Sequence, residues 1–303
     1  VKPLFSIIIA TYDRVDCLRG LLAGIAAHFG KLDISHEVIV ANNARDERVA
    51  QEIAKLTVEF QNSQRVAFRH VREPLAGKCR AQNAAIRAAE GAVLVFFDDD
   101  VEVTPDWLTI AAEFFQRPDF DAMQGPILMP PEMEHNEELL RAQRRFRTIN
   151  FVKYDPGMKE IKTLTGANIA VRREVFDRIG GFNEELGPGR SGISEDVEFA
   201  QRLLRSGGRI GYEPQAGVYH RVDWSRLTEG FFRLRHEQQG RSRLIYKKQS
   251  LASIVPNFLR SIWTFCWYSL VGNERKKYRA KGRYFHYRAM LEVKTRRSTG
   301  IHD

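Results

Sequence analysis

Val93-Leu94-Val95-Phe96-Phe97-Asp98-Asp99-Asp100 sets five apolar residues directly against three carboxylates. An uninterrupted β-branched and aromatic run of this length suits a strand buried on both faces, the habit of parallel sheets covered by helices. The acid triplet then stands at the strand's C-terminal end, where open α/β sheets bind ligands. Adjacent carboxylates there raise one another's pKa unless a cation sits among them. A hard divalent ion that takes oxygen ligands and bridges phosphates, Mg2+ or Mn2+, resolves the repulsion. The plainer alternative is a solvated turn before a helix capped by Thr104 and opened by Pro105. A helix start, however, does not call for an acidic triplet four residues ahead of its cap.

Upstream, apolar runs of strand length occur at 4–10, 37–41 and 66–71, separated by helical periodicity over 17–29 and 47–61. A further helix reads at 81–90 and stops at Gly91, just before the central strand. This alternation predicts an α/β chain with a mostly parallel sheet. Thr11-Tyr12-Asp13-Arg14 and Asn42-Asn43 fall at the C-terminal ends of the first two strands, beside the triplet. The turn after the first strand contains no glycine, which excludes the G-x-G-x-x-G dinucleotide site of a dehydrogenase.

The composition is that of an ordinary globular chain of 303 residues, 43% hydrophobic and 28% charged. Cys17, Cys79 and Cys266 lie far apart, so no structural zinc site is signalled, and sparse thiols suit a reducing compartment. Val1-Lys2-Pro3 shows no signal-peptide pattern. The net charge of +9 is concentrated: Arg226–Arg297 holds eighteen Lys/Arg against four Asp/Glu, while the preceding chain is slightly acidic. Such asymmetry points to an anionic partner for the C-terminal third. Within it, Leu251–Gly272 is apolar and aromatic but interrupted by Pro256, Asn257 and Arg260, with basic flanks at both ends. That pattern predicts an interfacial helix or a re-entrant pair rather than a clean crossing.

Further along stand Thr165-Gly166-Ala167-Asn168, Arg172-Arg173, Gly180-Gly181-Phe182, Ser194-Glu195-Asp196 and Tyr219-His220. Taken singly they have simple readings: Ser194 is a plausible N-cap whose acidic neighbours complement a helix dipole, and His220 sits near a strand end. In order, together with Ser6–Arg14 and Phe97–Asp100 followed by Pro105-Asp106-Trp107, they resemble the inverting family-2 glycosyltransferases of GT-A fold, from about Pro3 to His220.

The resemblance implies a GT-A architecture, a Rossmann-like mixed, mostly parallel sheet flanked by helices, to which the charge surplus and apolar stretch beyond His220 add a basic helical C-terminal extension. It implies a catalytic domain at 1–225, with a nucleotide-sugar-binding half at 1–105 and an acceptor-binding half at 106–225. Residues 226–303 are then an amphipathic, membrane-associating extension. The activity implied is transfer of a sugar from a nucleoside-diphosphate donor to an acceptor hydroxyl with inversion. Asp196 matches the family's general base and Glu195 its orienting neighbour. Asp98, Asp100 and His220 match the ligands of Mn2+ or Mg2+, while Thr11, Tyr12, Arg14, Asn42, Asp98 and Asp99 match donor contacts. Lys78 and Arg80 would add positive charge near the phosphates, and Gly166, Ala167 and Asn168 would meet the sugars. Asn42 stands where the family usually has Asp, which leaves a GDP-sugar open beside the favoured UDP-sugar.

The basic surplus flanking the aromatic-rich apolar stretch predicts attachment of 226–297 to the anionic inner face of the cell membrane from the cytoplasm, over a glycan or lipid-linked acceptor. The alternative for Leu251–Gly272 is a core helix or a dimer helix, and the dimer helix would make the chain a homo-oligomer. Pro130–Tyr154 reads either as an acceptor-shaping insertion or as an exposed helix laced with ion pairs, and Gly187–Gly192 as a mobile loop or lid. A nucleic-acid partner would leave the acid triplet unexplained, and RNA-module aromatic signatures are missing. A catalytically silent GT-A scaffold is the remaining non-enzyme reading.

Overall fold

The computed structural model describes residues 4–63 and 66–298. In chain order it runs β1 (Phe5–Thr11), α1 (Val15–Phe29), β2 (His36–Asn42), α2 (Glu47–Ser63), β3 (Ala67–Arg72), α3 (Lys78–Ala88) and β4 (Val93–Asp98). Next come β5 (Val101–Val103), α4 (Trp107–Gln116), β6 (Ala122–Gln124), β7 (Ile127–Leu128), α5 (Glu137–Phe146), β8 (Glu160–Ile161), β9 (Asn168–Arg172) and α6 (Arg173–Ile179). The chain closes with α7 (Glu195–Arg205), β10 (Ile210–Tyr212), β11 (Val218–His220), α8 (Glu229–Tyr246), α9 (Leu251–Leu270) and α10 (Glu274–Ser298).

These elements group into two compact units. One holds the chain up to Pro130 with Phe151–Glu184 and Glu195–Arg221; the other holds Pro131–Asn150, Glu185–Ser194 and the chain from Val222. Residues 131–150, 185–194 and 222–225, inside the expected 1–225 domain, therefore group with the C-terminal helices, because the chain leaves the sheet and returns twice before its last strand.

In the first unit the larger sheet has the order β3-β2-β1-β4-β9-β6-β10-β8. Strands β3, β2, β1 and β4 are parallel. Strand β9 is antiparallel to β4 and β6, and β10 returns parallel to β6. The mixed, mostly parallel sheet expected from the apolar strand pattern is thus present. Both faces are buried: Ile7, Ile9, Val95 and Phe97 pack with Leu18 and Leu22 on one side, and Ile8, Leu94 and Phe96 with Phe176 and Phe199 on the other. Period-2 alternation within a wholly apolar strand sends successive residues to opposite cores.

A second sheet, β5-β11-β7, sets His220 opposite Val101 in antiparallel register. The Arg221 N–H donates to the Asp100 carbonyl at 3.0 Å. Register alone thereby brings residue 220 beside the acid triplet.

Some local expectations change. Helix α3 starts at Lys78 rather than at 81. Thr104 does not cap α4: the helix begins at Trp107, and the Thr104 hydroxyl donates to the Gly217 carbonyl at 2.9 Å, tying β5 to β11. Ser194 has φ +81°, left-handed rather than the extended backbone of an N-cap.

In the second unit, α10 packs against α8, α9 and α5. Phe146, Phe232 and Tyr278 form a ring cluster with centroids 5.7–6.0 Å apart. Buried Glu237 takes Arg233, Arg241 and Arg288 as partners. Residues 131–150 contribute α5, which Asn136 caps by accepting from the Leu139 N–H at 2.9 Å. In the Gly187–Gly192 segment the Gly192 N–H donates to Gly187 O at 2.9 Å, and Ser242 Oγ donates to Ser191 Oγ at 2.8 Å. Helix α9 is continuous through Pro256, so the re-entrant pair is not formed. No described helix is long and apolar enough to cross a membrane.

Asn168, fully buried at the start of β9, is a polar knot of the first unit. Its amide donates to Pro126 O at 2.9 Å and Ala216 O at 2.8 Å, and its Oδ1 accepts from Trp107 Nε1 at 2.9 Å. Gly125 lies beneath it, where an added Cβ would meet the Ala216 carbonyl at 1.9 Å. Replacing Asn168 with Ala strands three buried polar groups, so urea unfolding of Asn168→Ala should show a loss of about 3 kcal/mol or more.

Candidate functional site

The site grows from the C-terminal ends of β1 and β4. The Thr11 hydroxyl donates to Asp99 Oδ2 at 2.8 Å. Arg14, in the turn after β1, forms ion pairs with Asp99 at 2.5 Å and with Asp100. Burial pushes the Asp99 carboxyl up to about 7, with Arg14 pulling the other way. Tyr12, between these two residues in the chain, is exposed.

Lys78 opens α3 and reaches both carboxylate groups of the site. Its Nζ donates to Asp98 Oδ1 at 2.5 Å and lies 3.6 Å from Glu195 Oε1. Burial opposes the charge on Lys78, but Asp98 and Glu195 outweigh it and hold the ammonium above its ordinary pKa. Burial likewise opposes charge on Asp98, where Lys78 prevails and keeps the carboxyl below its usual range.

Glu195 and Asp196 open α7. Burial raises both, and Glu195 reaches about 7 despite the neighbouring ammonium. Asp196 Oδ2 accepts from the Gly166 N–H at 3.0 Å and Oδ1 from the Val197 N–H at 2.7 Å. A carboxylate oriented by backbone donors, with its proton affinity raised, is suited to accept a proton from a substrate.

One oxygen of Asp98, one of Asp100 and one ring nitrogen of His220 lie within 4.8 Å of one another. The His220 Nδ1 is 2.7 Å from the Arg221 carbonyl, an acceptor, so Nδ1 carries the proton. Nε2 then faces Asp100 Oδ1 at 3.6 Å. In the neutral ring this aims a lone pair at a carboxylate oxygen, a repulsion that a shared cation turns into attraction. A backbone carbonyl orienting the far nitrogen of a ligating histidine is the usual outer support of metal sites. Two carboxylates and one imidazole suit Mn2+ or Mg2+, so the donor set fits the ion.

Direct contacts thus join Thr11, Arg14, Asp99, Asp100 and His220, separately Lys78, Asp98 and Glu195, and separately Gly166 and Asp196. Other expected residues are placed elsewhere. Asn42 is fully buried; its amide donates to Ala50 O at 2.8 Å, and its Oδ1 accepts from the Ala44 N–H at 3.1 Å. Its amide holds the β2–α2 turn rather than offering an edge to a base. Arg80 turns to Glu184, 3.4 Å away. Asn168 is the knot described above, and Ala167 belongs to the apolar core, so of the Gly166–Asn168 triplet Gly166 is the member that touches an acidic side chain.

Gln124 was not singled out by the sequence. Its Oε1 accepts from the Thr165 N–H at 2.7 Å and its amide donates to Asn168 O at 3.0 Å, fixing the turn that presents Gly166. A neutral residue in Ala122-Met123-Gln124-Gly125 carries no chemical signature, and only its position beside a close-approach glycine hints at its work.

Residues 6–180, more than half of the chain, match the profile of Glycosyl transferase family 2. A stretch of 251 residues is 26% identical to the O-antigen biosynthesis protein RfbC of Myxococcus xanthus, covering 75% of this chain and 18% of that protein. Another, of 204 residues, is 24% identical to the beta-monoglucosyldiacylglycerol synthase of Trichormus variabilis, covering 66% of this chain and 41% of that one. The chain thus spans less than half the length of either relative. Among solved structures, the mannosyltransferase PcManGT of Pyrobaculum calidifontis, in complex with GDP-Man and Mn2+, is similar with a TM-score of 0.58 at 18% identity. That similarity covers 97% of this chain and 76% of the other, and it is one of fold.

The raised Glu195 has a measurable consequence. A carboxyl whose folded pKa exceeds its unfolded value binds its proton more tightly in the folded protein, so its contribution is present at low pH and fades as pH rises through about 7. Urea midpoints without added metal should therefore fall between roughly pH 5 and 8, and Glu195→Gln should flatten that slope. An unchanged slope in the variant would mean that Glu195 titrates in its ordinary range.

Proposed function

The chain belongs to glycosyl transferase family 2, and on that premise we propose that it transfers a sugar from a nucleoside-diphosphate sugar to an acceptor hydroxyl with inversion. The observation that carries this reading is the bridge made by Lys78, which joins the metal-suited cluster of Asp98, Asp100 and His220 to the Glu195–Asp196 carboxylates. Residues 1–105 bind the donor and 106–225 the acceptor.

Asp98, Asp100 and His220 would hold Mn2+ or Mg2+. The bound ion supplies positive charge to the departing diphosphate. Arg14, half-exposed beside Asp99 and Asp100, adds a guanidinium on the same side, and exposed Tyr12 offers a ring for the base to stack on. A UDP-sugar is favoured, with a GDP-sugar as the alternative, since Asn42 does not present the carboxylate usual at its position.

On the acceptor side Asp196 takes the hydroxyl proton as the acceptor oxygen bonds to the anomeric carbon. The carbon–oxygen bond to the diphosphate breaks with its electron pair going to the leaving group. Attack from the face opposite the leaving group inverts the centre. Gly166 N–H and Val197 N–H hold the carboxylate for this step, and Glu195, beside Lys78, sets the local charge.

The acceptor is a glycan, lipid-linked or close to a membrane. The basic region 226–297 brings the chain to the anionic inner face of the cell membrane from the cytoplasm.

Calorimetric titration of UDP and GDP with Mn2+ tests the donor half. Wild type should bind UDP only with metal present, and Asp100→Ala should weaken binding at least about tenfold. Binding of neither nucleotide under any metal would replace the enzyme by a silent scaffold. Asp196→Asn should keep nucleotide binding while lowering turnover by about 100-fold or more. Full turnover in that variant would remove Asp196 from the base position.

A further inference from the structure

Helix α9 carries an exposed stripe that no described element covers. Leu251, Val255, Leu259, Ile262, Cys266 and Leu270 follow one another at three- and four-residue steps along one face, Trp263 and Trp267 flank them in the adjacent row, and all are exposed. Trp263 is 65% exposed, Trp267 51% and Leu270 84%. The two indoles stack with centroids 6.1 Å apart and planes 8° from parallel. The opposite face is occupied: Ile254 and Ser261 are buried, and Phe258 stacks on Tyr284 of α10 at 5.4 Å. Helix α9 therefore gains its tertiary support from one side and leaves the larger aromatic side in water, where a contiguous apolar face of this kind marks an interaction site.

Charge selects the occupant. Exposed Lys247 and Lys248 precede the stripe, exposed Arg275, Lys276 and Arg279 follow it, and exposed Arg260 borders it. A second copy would bring these basic ends against their own kind in either orientation. A spanning insertion would carry Arg260 into the hydrocarbon, and α9 is not apolar enough to cross. An anionic phospholipid surface meets both features at once, taking the apolar stripe below its headgroups and the basic rim at their level.

We infer that α9 is a monotopic docking helix, lying in the plane of an anionic bilayer with Trp263 and Trp267 at the boundary between headgroups and acyl chains. This deepens the membrane-proximal reading above and rests on it only for its purpose, since the stripe and its rim stand on the second unit alone. It assigns the docking to one face of one helix rather than to diffuse charge over 226–297.

The test uses the full chain with vesicles of phosphatidylglycerol and phosphatidylcholine, and with vesicles of phosphatidylcholine alone. The chain should co-sediment with the anionic vesicles, with a blue shift of tryptophan emission, and bind the neutral ones at least tenfold more weakly. The double variant Trp263→Ser/Trp267→Ser, and separately Leu270→Glu, should each lower binding to anionic vesicles at least tenfold while UDP titration stays as in wild type. Both replace exposed side chains, so the fold is preserved.

Anionic binding that the variants leave intact overturns the proposal in favour of charge alone. Absent vesicle binding, with a dimer that the double variant dissolves, overturns it in favour of a second copy. If wild type binds no nucleotide yet docks through the stripe, docking stands and the transferase reading falls.

Discussion

The first unit is organised around burying like charges at the end of a parallel sheet. Burial raises the cost of ionising Asp99, Glu195 and Asp196 there, and neighbouring carboxylates add to it. Two cations answer part of that charge. Arg14 clasps Asp99 and Asp100, and Lys78 spans Asp98 and Glu195. The outcome is unequal: Asp98 stays below its ordinary pKa, whereas Asp99, Glu195 and Asp196 rise. Separated proton affinities among neighbouring carboxylates are what allow one to bind a cation while another accepts a proton.

Precision in that arrangement comes from neutral residues behind it. Gln124, Trp107 and Asn168 form a hydrogen-bonded layer that joins the two sheets and fixes the turn carrying Gly166, and Gly166 in turn orients Asp196. The links among Gln124, Trp107 and Asn168 are buried donors meeting buried acceptors, so leaving one unmade is expensive. The charged groups supply the chemistry and the amides hold its geometry.

The second unit follows a different logic. Its interior is aromatic, with buried Glu237 paired to part-exposed arginines at its margin, and the outward face of α9 is apolar with a basic rim. Helix α9 is supported by α10 on one side and exposes its indoles on the other. Segments 131–150 and 185–194 group with this unit, and the chain returns to the first unit at Glu195.

Much of the fold was legible because each strand announces itself locally. Runs such as Phe5–Ala10 and Val93–Phe97 are apolar throughout, and burial on both faces is the arrangement in which such runs are stable. The acid triplet was legible for the converse reason, since charge next to such a run demands a cation. The C-terminal charge surplus and the apolar stretch inside it were likewise plain in composition. What the sequence could not resolve was which polar side chains face the site and which hold the fold, because both uses call for the same residue types. Asn42, Asn168 and Arg80 read as binding groups, and tertiary contacts spend them on Ala50, Trp107 and Glu184. The approach of His220 to Asp100, and of Lys78 to Glu195, depends on strand register and helix placement between residues more than a hundred positions apart. Local sequence determined the elements and the charge they must bury; only the packed sheet decided which side chains would neutralise it.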